Sequence, residues 1–257
     1  MRFKKFATAV ARLSFGEQIG FFRSKMGNLI PTERWDDIKR EAHDTGFMVA
    51  GAVKADLLSD LSKAVDAAIA DGETLEQFRA RFGKIVDQHG WAYRGERNWR
   101  TRVIYQTNVA TSYSAGRLKQ LRDPDLLAFK PFWMYRHSDA VLTPRPLHVS
   151  WDGLTLSPDD PWWNAHYPPN EWGCMCYVVA VSVKDVTRMG GRFGAAPNDG
   201  IGPTGTPNGV GIGWDYMPGD TVTSTAKAVT RKGLGLPEPI RKQLLADIAA
   251  IRARRAR

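Results

Sequence analysis

The six prolines between residues 144 and 169 limit how the middle of the chain can fold. Proline fixes φ, has no N–H to donate, and keeps the preceding residue out of the helical region. Short extended segments joined by turns are therefore expected here. The surrounding region, residues 133–181, holds five of the nine tryptophans, three of the five histidines and both cysteines. The sequence therefore predicts a compact, loop-rich β unit.

Cys174 and Cys176 are separated by one residue, and alternate residues of an extended chain share a face. Both thiols would then project together, with Met175 on the opposite side. Three explanations fit this spacing: zinc binding, a strained disulfide, or two buried cysteines that pack as small hydrophobic side chains. The residues themselves leave all three open. The segment that follows, Tyr177 to Val181, is apolar and β-branched, which predicts a buried strand.

A zinc site in this unit would need about four nitrogen, sulfur or oxygen ligands in a tetrahedron. With both thiolates and His148 as ligands, the expected fourth ligand is His137 or Asp139, and Asp152 is a further candidate. His148 and Asp152 are four residues apart, which could suggest a catalytic metal site. However, Pro146 predicts an extended strand there, and residues at this spacing in a strand lie about 13 Å apart. We therefore expect no enzyme and assign no catalytic residue.

The N-terminal half shows the periodicity of amphipathic helices. Apolar residues recur every three or four positions in residues 14–26, 33–47, 56–70, 75–90 and 96–121. Thr74 is placed to cap the fourth of these helices and Gly90 to end it. Helical periodicity is thus segregated from the short proline-bounded strands, which predicts an α+β fold. We expect a helical domain at residues 1–122 and a β-rich core unit, rich in proline and tryptophan, at residues 123–187.

Residues 188–257 are predicted to form an extended arm followed by a basic C-terminal helix. The arm, residues 188–220, is dense in glycine, proline and asparagine. Its apolar content is too low to offset an ordering cost of about 1–2 kcal/mol per residue. We therefore expect an arm that is mobile in the isolated chain and becomes ordered on a partner, with Trp214 and Tyr216 as anchors. From Pro239 to Arg257 the apolar residues recur at helical spacing, and the end is rich in arginine.

The formal net charge of +9 favours a partner rich in phosphate or carboxylate. Basic residues crowd the helix at residues 96–121 and its entry, so a DNA-binding module is one possible function. No apolar stretch approaches the ~20 residues that span a bilayer. The start of the sequence lacks the apolar core of an export signal, so we expect a cytoplasmic origin and no membrane partner.

Several of these motifs resemble the phage Mu protein F-like minor head proteins, also called the phage head morphogenesis family. The resemblance extends over most of the chain, including residues 21–25 and 31–37, and is most specific in the β unit. Its motifs there are Arg145-Pro146-Leu147-His148, Asp152-Gly153, Asp159-Asp160-Pro161, Pro168-Pro169-Asn170 and Trp172-Gly173-Cys174-Met175-Cys176. The family usually has arginine where this chain has Met175, and the spacing from Asp139 to Arg145 also departs from the family pattern.

The resemblance implies a minor capsid protein that acts at the portal vertex in head morphogenesis and in DNA packaging or delivery. The implied partners are the portal protein, capsid subunits and, without sequence specificity, the packaged DNA. The implied location is the capsid interior or portal vertex of the virion, after assembly in the host cytoplasm. A metal-dependent hydrolase or nuclease and a DNA-binding module are the alternative functions.

Overall fold

The computed structural model describes residues 14–141, 143–220 and 237–255, with side chains up to residue 247 in the last range. The chain is an α+β protein with a small four-stranded sheet and a C-terminal helix, as the sequence predicts. It folds as two units, Met1–Gly219 and Asp220–Arg257. The finer division into domains at residues 122 and 187 stays a prediction.

The first half of the larger unit is helical. Its helices are α1 (Gly16–Lys25), α2 (Ala42–Thr45), α3 (Ala55–Ala70), α4 (Leu75–His89) and α5 (Arg97–Leu121). The Thr74 hydroxyl caps α4 by accepting a hydrogen bond from the Gln77 amide, and Gly90 ends the helix in the left-handed conformation, with φ 56°. Both helix boundaries are as predicted. The apolar faces of α3 and α4 enclose a core that includes Phe22 and Phe47.

The helix predicted through residues 33–47 is wrong. In this fully described stretch the structure has turns, followed by the four-residue α2. The Asp37 carboxylate accepts hydrogen bonds from the amides of Glu33 and Arg34, which replaces helical bonding at the start of the segment. Phe47, at its end, forms a β-bridge with Leu29. The apolar residues of this stretch do not form one buried face, since Phe47 is buried and Trp35 is exposed.

The β unit follows α5. Its elements are α6 (Pro124–Phe129), β1 (Phe132–Arg136), α7 (Pro146–Ser150), β2 (Leu154–Leu156), α8 (Trp163–His166), β3 (Tyr177–Val181), α9 (Val183–Arg188) and β4 (Arg192–Phe193). The strand order is β3-β1-β2-β4, with β1 antiparallel to both neighbours and β4 parallel to β2. Trp133 and Tyr135 of β1 lie in a large aromatic core, while Met134 packs with Val181 and Val186. The strand predicted at residues 177–181 is confirmed, and Val178, Ala180 and Val181 are buried in it, whereas Tyr177 is exposed.

Pro146 begins a helix, so the prediction of an extended strand around His148 is wrong. Proline suits the first position of a helix, because its φ is already helical and its missing N–H has no partner there. The Val149 amide donates to the Arg145 carbonyl and the Trp151 amide to the Leu147 carbonyl, which closes α7 around His148. His148 consequently projects from a short helix.

The arm packs on its own chain, which corrects the prediction of a mobile segment that awaits a partner. Trp214 and Tyr216 are each 6% exposed, and Trp214 belongs to the aromatic core of the β unit. Arg40 forms an ion pair of 2.7 Å with Asp215, and the Gly219 amide donates to Asp44 at 2.9 Å. Composition averaged over residues 188–220 hides this burial, because the buried side chains are concentrated near the end of that range.

The smaller unit contains α10 (Glu238–Arg255), which confirms the predicted C-terminal helix. Ile240 on its first turns is 55% exposed. Ile248 and Ile251, which the helical spacing assigns to the same apolar side, lie outside the described side chains, as does the arginine-rich end. Among the helices of the described ranges, none has the length and apolar character needed to cross a membrane.

The packing of the arm predicts a large loss of stability when Trp214 is truncated. Trp214→Ala should lower the free energy of unfolding by about 3–5 kcal/mol, because it leaves a cavity in the aromatic core. Trp99→Ala is the matched control, since Trp99 is 55% exposed and its truncation should change stability by about 0.5 kcal/mol. Urea denaturation followed by circular dichroism measures both. Equal effects of the two substitutions would show that the arm does not hold the core.

Candidate metal centre

Two histidines and two cysteines from separate parts of the β unit meet at one end of the sheet. His137 follows β1, His148 lies on α7, and Cys174 and Cys176 precede β3. The His148 Nδ1 atom lies 3.6 Å from Cys174 Sγ and 3.7 Å from Cys176 Sγ, and His137 Nδ1 lies 3.5 Å from Cys176 Sγ. The candidate ligand atoms of His148, Cys174 and Cys176 are all within 4.8 Å of one another.

The strand register explains why His137 and Cys176 are neighbours. In the antiparallel pair of β1 and β3, Arg136 is opposite Tyr177. His137 follows Arg136 and Cys176 precedes Tyr177, so the antiparallel register places His137 opposite Cys176. On the other side of Cys174, Gly173 adopts a left-handed φ of 69° and the Cys174 amide donates to the Glu171 carbonyl at 3.0 Å. This turn points the first thiol inward.

The alternation predicted for the cysteine pair is confirmed. Cys174 is 3% exposed and Cys176 is 6% exposed, whereas Met175 between them is 49% exposed. Both cysteines are free thiols, so the disulfide explanation is not supported. Zinc binding and simple packing are the two explanations that remain.

The orientation of the His148 ring follows from a contact with the arm. Its Nε2 atom lies 2.7 Å from the carbonyl oxygen of Gly209. Because a carbonyl can only accept, Nε2 must carry the proton, and in the neutral ring Nδ1 then presents its lone pair to the two thiols. Trp151 stacks on the ring at 5.2 Å and holds its plane. A histidine that ligates a metal commonly has its second nitrogen bonded in this way.

The sulfur–nitrogen distances in this cluster match those around a tetrahedral zinc ion. Zinc binds sulfur at about 2.3 Å and imidazole nitrogen at about 2.0–2.1 Å, which in a tetrahedron separates sulfur from nitrogen by about 3.6 Å. The three observed sulfur–nitrogen distances are 3.5, 3.6 and 3.7 Å. Two thiolates and an imidazole are also donors that zinc prefers. His148, Cys174 and Cys176 could therefore hold a metal ion, whereas His137 lies outside the group whose ligand atoms are all within 4.8 Å of one another.

The two thiols shift each other's pKa in opposite directions. The hydrogen bond from Cys176 holds the pKa of Cys174 well below its usual value, against the opposing effect of burial. The hydrogen bond to Cys174 and then burial raise the pKa of Cys176.

The two carboxylates considered from the sequence have different surroundings. Asp139 is exposed in the turn after His137 and, like His137, lies outside the group whose ligand atoms are all within 4.8 Å of one another, so its role as a fourth ligand stays a prediction. The Asp152 carboxylate accepts hydrogen bonds from Arg136 Nε at 2.9 Å and from the His137 amide at 2.8 Å. Asp152 therefore positions the backbone of His137. The separation of about 13 Å expected between His148 and Asp152 assumed a strand, and the structure has a helix there. Asp152 is nevertheless not a ligand of the cluster, because its carboxylate is bonded to Arg136 and His137.

Two contributors to the site were not predicted. Gly209 acts through its backbone carbonyl, which leaves no signature in the sequence. Trp151 lies three residues after His148, a spacing that brings side chains together on a helix. It would have been found if Pro146 had been interpreted as the first residue of a helix.

The basic residues of α5 are largely occupied by contacts within the chain. Arg97 donates to the Arg79 carbonyl at 2.9 Å, and Arg117 donates to the Gln120 side chain at 2.6 Å. Arg102 is exposed. The DNA-binding interpretation of this helix stays a prediction.

The fold and the site together define a class of protein: an α+β chain whose small sheet carries a buried histidine–cysteine cluster. Residues 59–179 match the family model of the phage Mu protein F like proteins. This range contains all four residues of the cluster. The chain is similar to that phage family over this range, which confirms the resemblance predicted from the motifs of the β unit.

Two relatives extend the match beyond the family model. The chain is 31% identical to the putative capsid assembly protein F of Escherichia phage Mu over 261 residues, covering 86% of this chain and 58% of the relative. It is 31% identical to the Mu-like prophage FluMu F protein of Haemophilus influenzae over 235 residues, covering 78% of this chain and 56% of the relative. The chain therefore spans little more than half the length of these relatives. No solved structure matches it.

The geometry predicts about one zinc ion per chain in protein purified without chelators or oxygen. Cys174→Ser should remove the metal, because it removes a thiolate ligand. Met175→Ser is the matched control: its side chain is exposed beside the cluster and should leave the metal in place. Elemental analysis of the three proteins measures the zinc content. Absence of stoichiometric metal from the unsubstituted protein would leave packing as the role of the cysteines.

Zinc affinity should fall as the pH is lowered from neutral. Protons compete with the ion for the thiolates of Cys174 and Cys176 and for the imidazole of His148, so each must lose its proton again before the metal binds. Competition with a chromophoric zinc chelator across a pH series gives the affinity. An affinity that does not change between neutral and acid pH would exclude these ligands.

Proposed function

We propose that this chain is a minor head protein of a tailed phage or prophage, in which the histidine–cysteine cluster is a structural zinc centre. The observation that carries the proposal is the similarity to the capsid assembly protein F of phage Mu, which covers 86% of this chain. The named role belongs to that relative, whose length this chain covers in part. The cluster lies inside the region that matches the family model.

A structural role for the centre is favoured by its closure. His148, Cys174 and Cys176 are 2%, 3% and 6% exposed. A catalytic zinc keeps a coordination position for water or substrate, whereas a structural zinc has four protein ligands and no opening. His137 is half-buried and its Nδ1 lies 3.5 Å from Cys176 Sγ, so a small movement toward the ion would make it the fourth ligand and close the site. It supports stabilisation of the β unit better than a metal-dependent hydrolase or nuclease.

We further propose that the protein acts at the portal vertex, with the portal protein and capsid subunits as partners. The support is the resemblance of the β-unit motifs to minor head proteins. The net charge of +9 suits a position beside packaged DNA, because cationic side chains release counterions from phosphate. Contact with DNA would be non-specific and would weaken steeply with salt.

Heads purified after induction of the parent phage test the assembly role. The protein should be detected in them by mass spectrometry in a few copies per head, and disruption of its gene should reduce the yield of DNA-filled heads. A gene carrying Cys174→Ser together with Cys176→Ser should reduce that yield as well, because the β unit loses its zinc. A gene carrying Met175→Ser is the control and should give normal heads. Normal heads from the disrupted gene would refute the assembly role.

The proposed location and the proposed DNA contact need separate measurements. Chemical cross-linking of intact heads should join this chain to the portal protein. Purified protein should bind duplex DNA of unrelated sequences equally, with affinity falling as salt is raised. Cross-links confined to the outer capsid surface would contradict the portal position. Binding that ignores salt would contradict the phosphate contact.

A further inference from the structure

An apolar groove of about 560 Å³ lies between α5, the segment 35–50 and the arm. Three of its tryptophans remain partly open to solvent: Trp35 is 40% exposed, Trp99 is 55% exposed and Trp172 is 38% exposed. Aliphatic side chains of the same three parts of the chain line it further, including Ile38, Val103 and Ile212. Exposed apolar surface that is concentrated in one concave place is typical of a binding site. We call this feature the tryptophan groove.

One wall of the tryptophan groove is fixed by aromatic packing. Trp172 contacts Trp35 edge to face at 5.9 Å and Trp214 edge to face at 5.1 Å. Trp214 is buried and anchored in the core of the β unit. The indole rings are therefore held in place before any ligand arrives, which lowers the entropy cost of binding.

The charged side chains that line the groove are basic. They are Lys25, Lys39 and Arg100, and within the described residues the lining contains no aspartate or glutamate. Lys39 is exposed at the rim. A ligand that enters the groove therefore meets positive charge with no carboxylate on the walls.

Arg100 lacks the partner that a buried guanidinium normally has. One terminal nitrogen donates to the Ala50 carbonyl, and the guanidinium carbon lies 5.5 Å from the centre of the Trp91 ring. Its Nε atom is buried and has no hydrogen-bond partner. Burial lowers the pKa of Arg100, so the charge is held at a cost that a carboxylate ligand would relieve.

Lys25 adds a second desolvated cation. It is 4% exposed, and its ammonium group donates to the His43 carbonyl at 3.1 Å. Burial lowers its pKa to about 8, and the nearby Asp44 opposes this shift. Lys25 therefore contributes a buried amine to the lining of the groove, with the Asp44 carboxylate close to it.

We propose that the tryptophan groove binds an acidic amphipathic segment of a partner protein, with its apolar side chains in the groove and its carboxylates on Lys39 and Arg100. Such segments present apolar anchors along one helical face and leave their charged residues at the rim. A nucleic acid fits less well, because a phosphate chain requires a track of exposed cations, and of the three basic residues here only Lys39 is exposed. The proposal stands independently of the zinc centre and of the capsid role.

Selection from a random dodecapeptide library displayed on yeast tests the groove without a guess at the partner. The enriched peptides should be net acidic with apolar residues at helical spacing. The Kd of the best peptide, measured by fluorescence anisotropy, should rise about tenfold with Lys39→Glu and with Trp99→Ser. Lys84→Glu changes a lysine on α4 outside the groove and should alter the Kd less than about twofold. Thermal unfolding of each variant verifies that the fold is intact.

Several results would overturn the proposal. Enrichment of basic peptides, or of no peptide whose binding depends on Lys39 and Trp99, would exclude an acidic segment as the occupant. Competition by oligothymidine with the same dependence on these residues would assign the groove to single-stranded nucleic acid. Sedimentation that shows a concentration-dependent dimer lost in Trp99→Ser would assign it to a second copy of this chain.

Discussion

The 2.7 Å hydrogen bond from His148 Nε2 to the Gly209 carbonyl joins two parts of the chain that the sequence keeps far apart. It gives the imidazole the tautomer in which Nδ1 faces both thiols. It also holds the arm against the β unit at the point where the arm turns toward its buried tryptophan, Trp214. The chemistry of the cluster and the order of the arm therefore depend on one another.

The same stretch of backbone serves the cluster and the tryptophan groove. Trp172, on the groove wall, precedes Cys174 by two residues, and its carbonyl accepts a hydrogen bond of 2.8 Å from Arg145 at the start of α7. The Asn170 carbonyl accepts the Gly211 amide of the arm at 2.9 Å. A zinc ion held by the cluster would thus stiffen the groove as well. Its loss would loosen a binding surface whose residues never touch the metal.

Features that depend on neighbouring residues could be predicted from the sequence, whereas contacts between distant parts of the chain could not. Thr74 and Gly90 were predicted correctly as the ends of α4, because each interacts only with residues close to it in the sequence. The alternation of Cys174, Met175 and Cys176 was also predicted correctly, because it follows from the spacing of the two cysteines. Pro146 was ambiguous, because proline suits both a broken strand and the first turn of a helix. The His148 ring is hydrogen-bonded to the backbone carbonyl of Gly209, so no side chain at that position indicates the contact in the sequence. The site residues were found by type, but their geometry came from the fold.

The contact between His148 and Gly209 spans 61 positions of the chain, and this separation sets a sequence of events during synthesis. Both cysteines and both histidines leave the ribosome before the carbonyl that orients His148. In that interval the imidazole can take either tautomer. The tautomer that presents Nδ1 to the thiols is therefore selected only after the arm has been synthesised and has packed against the β unit.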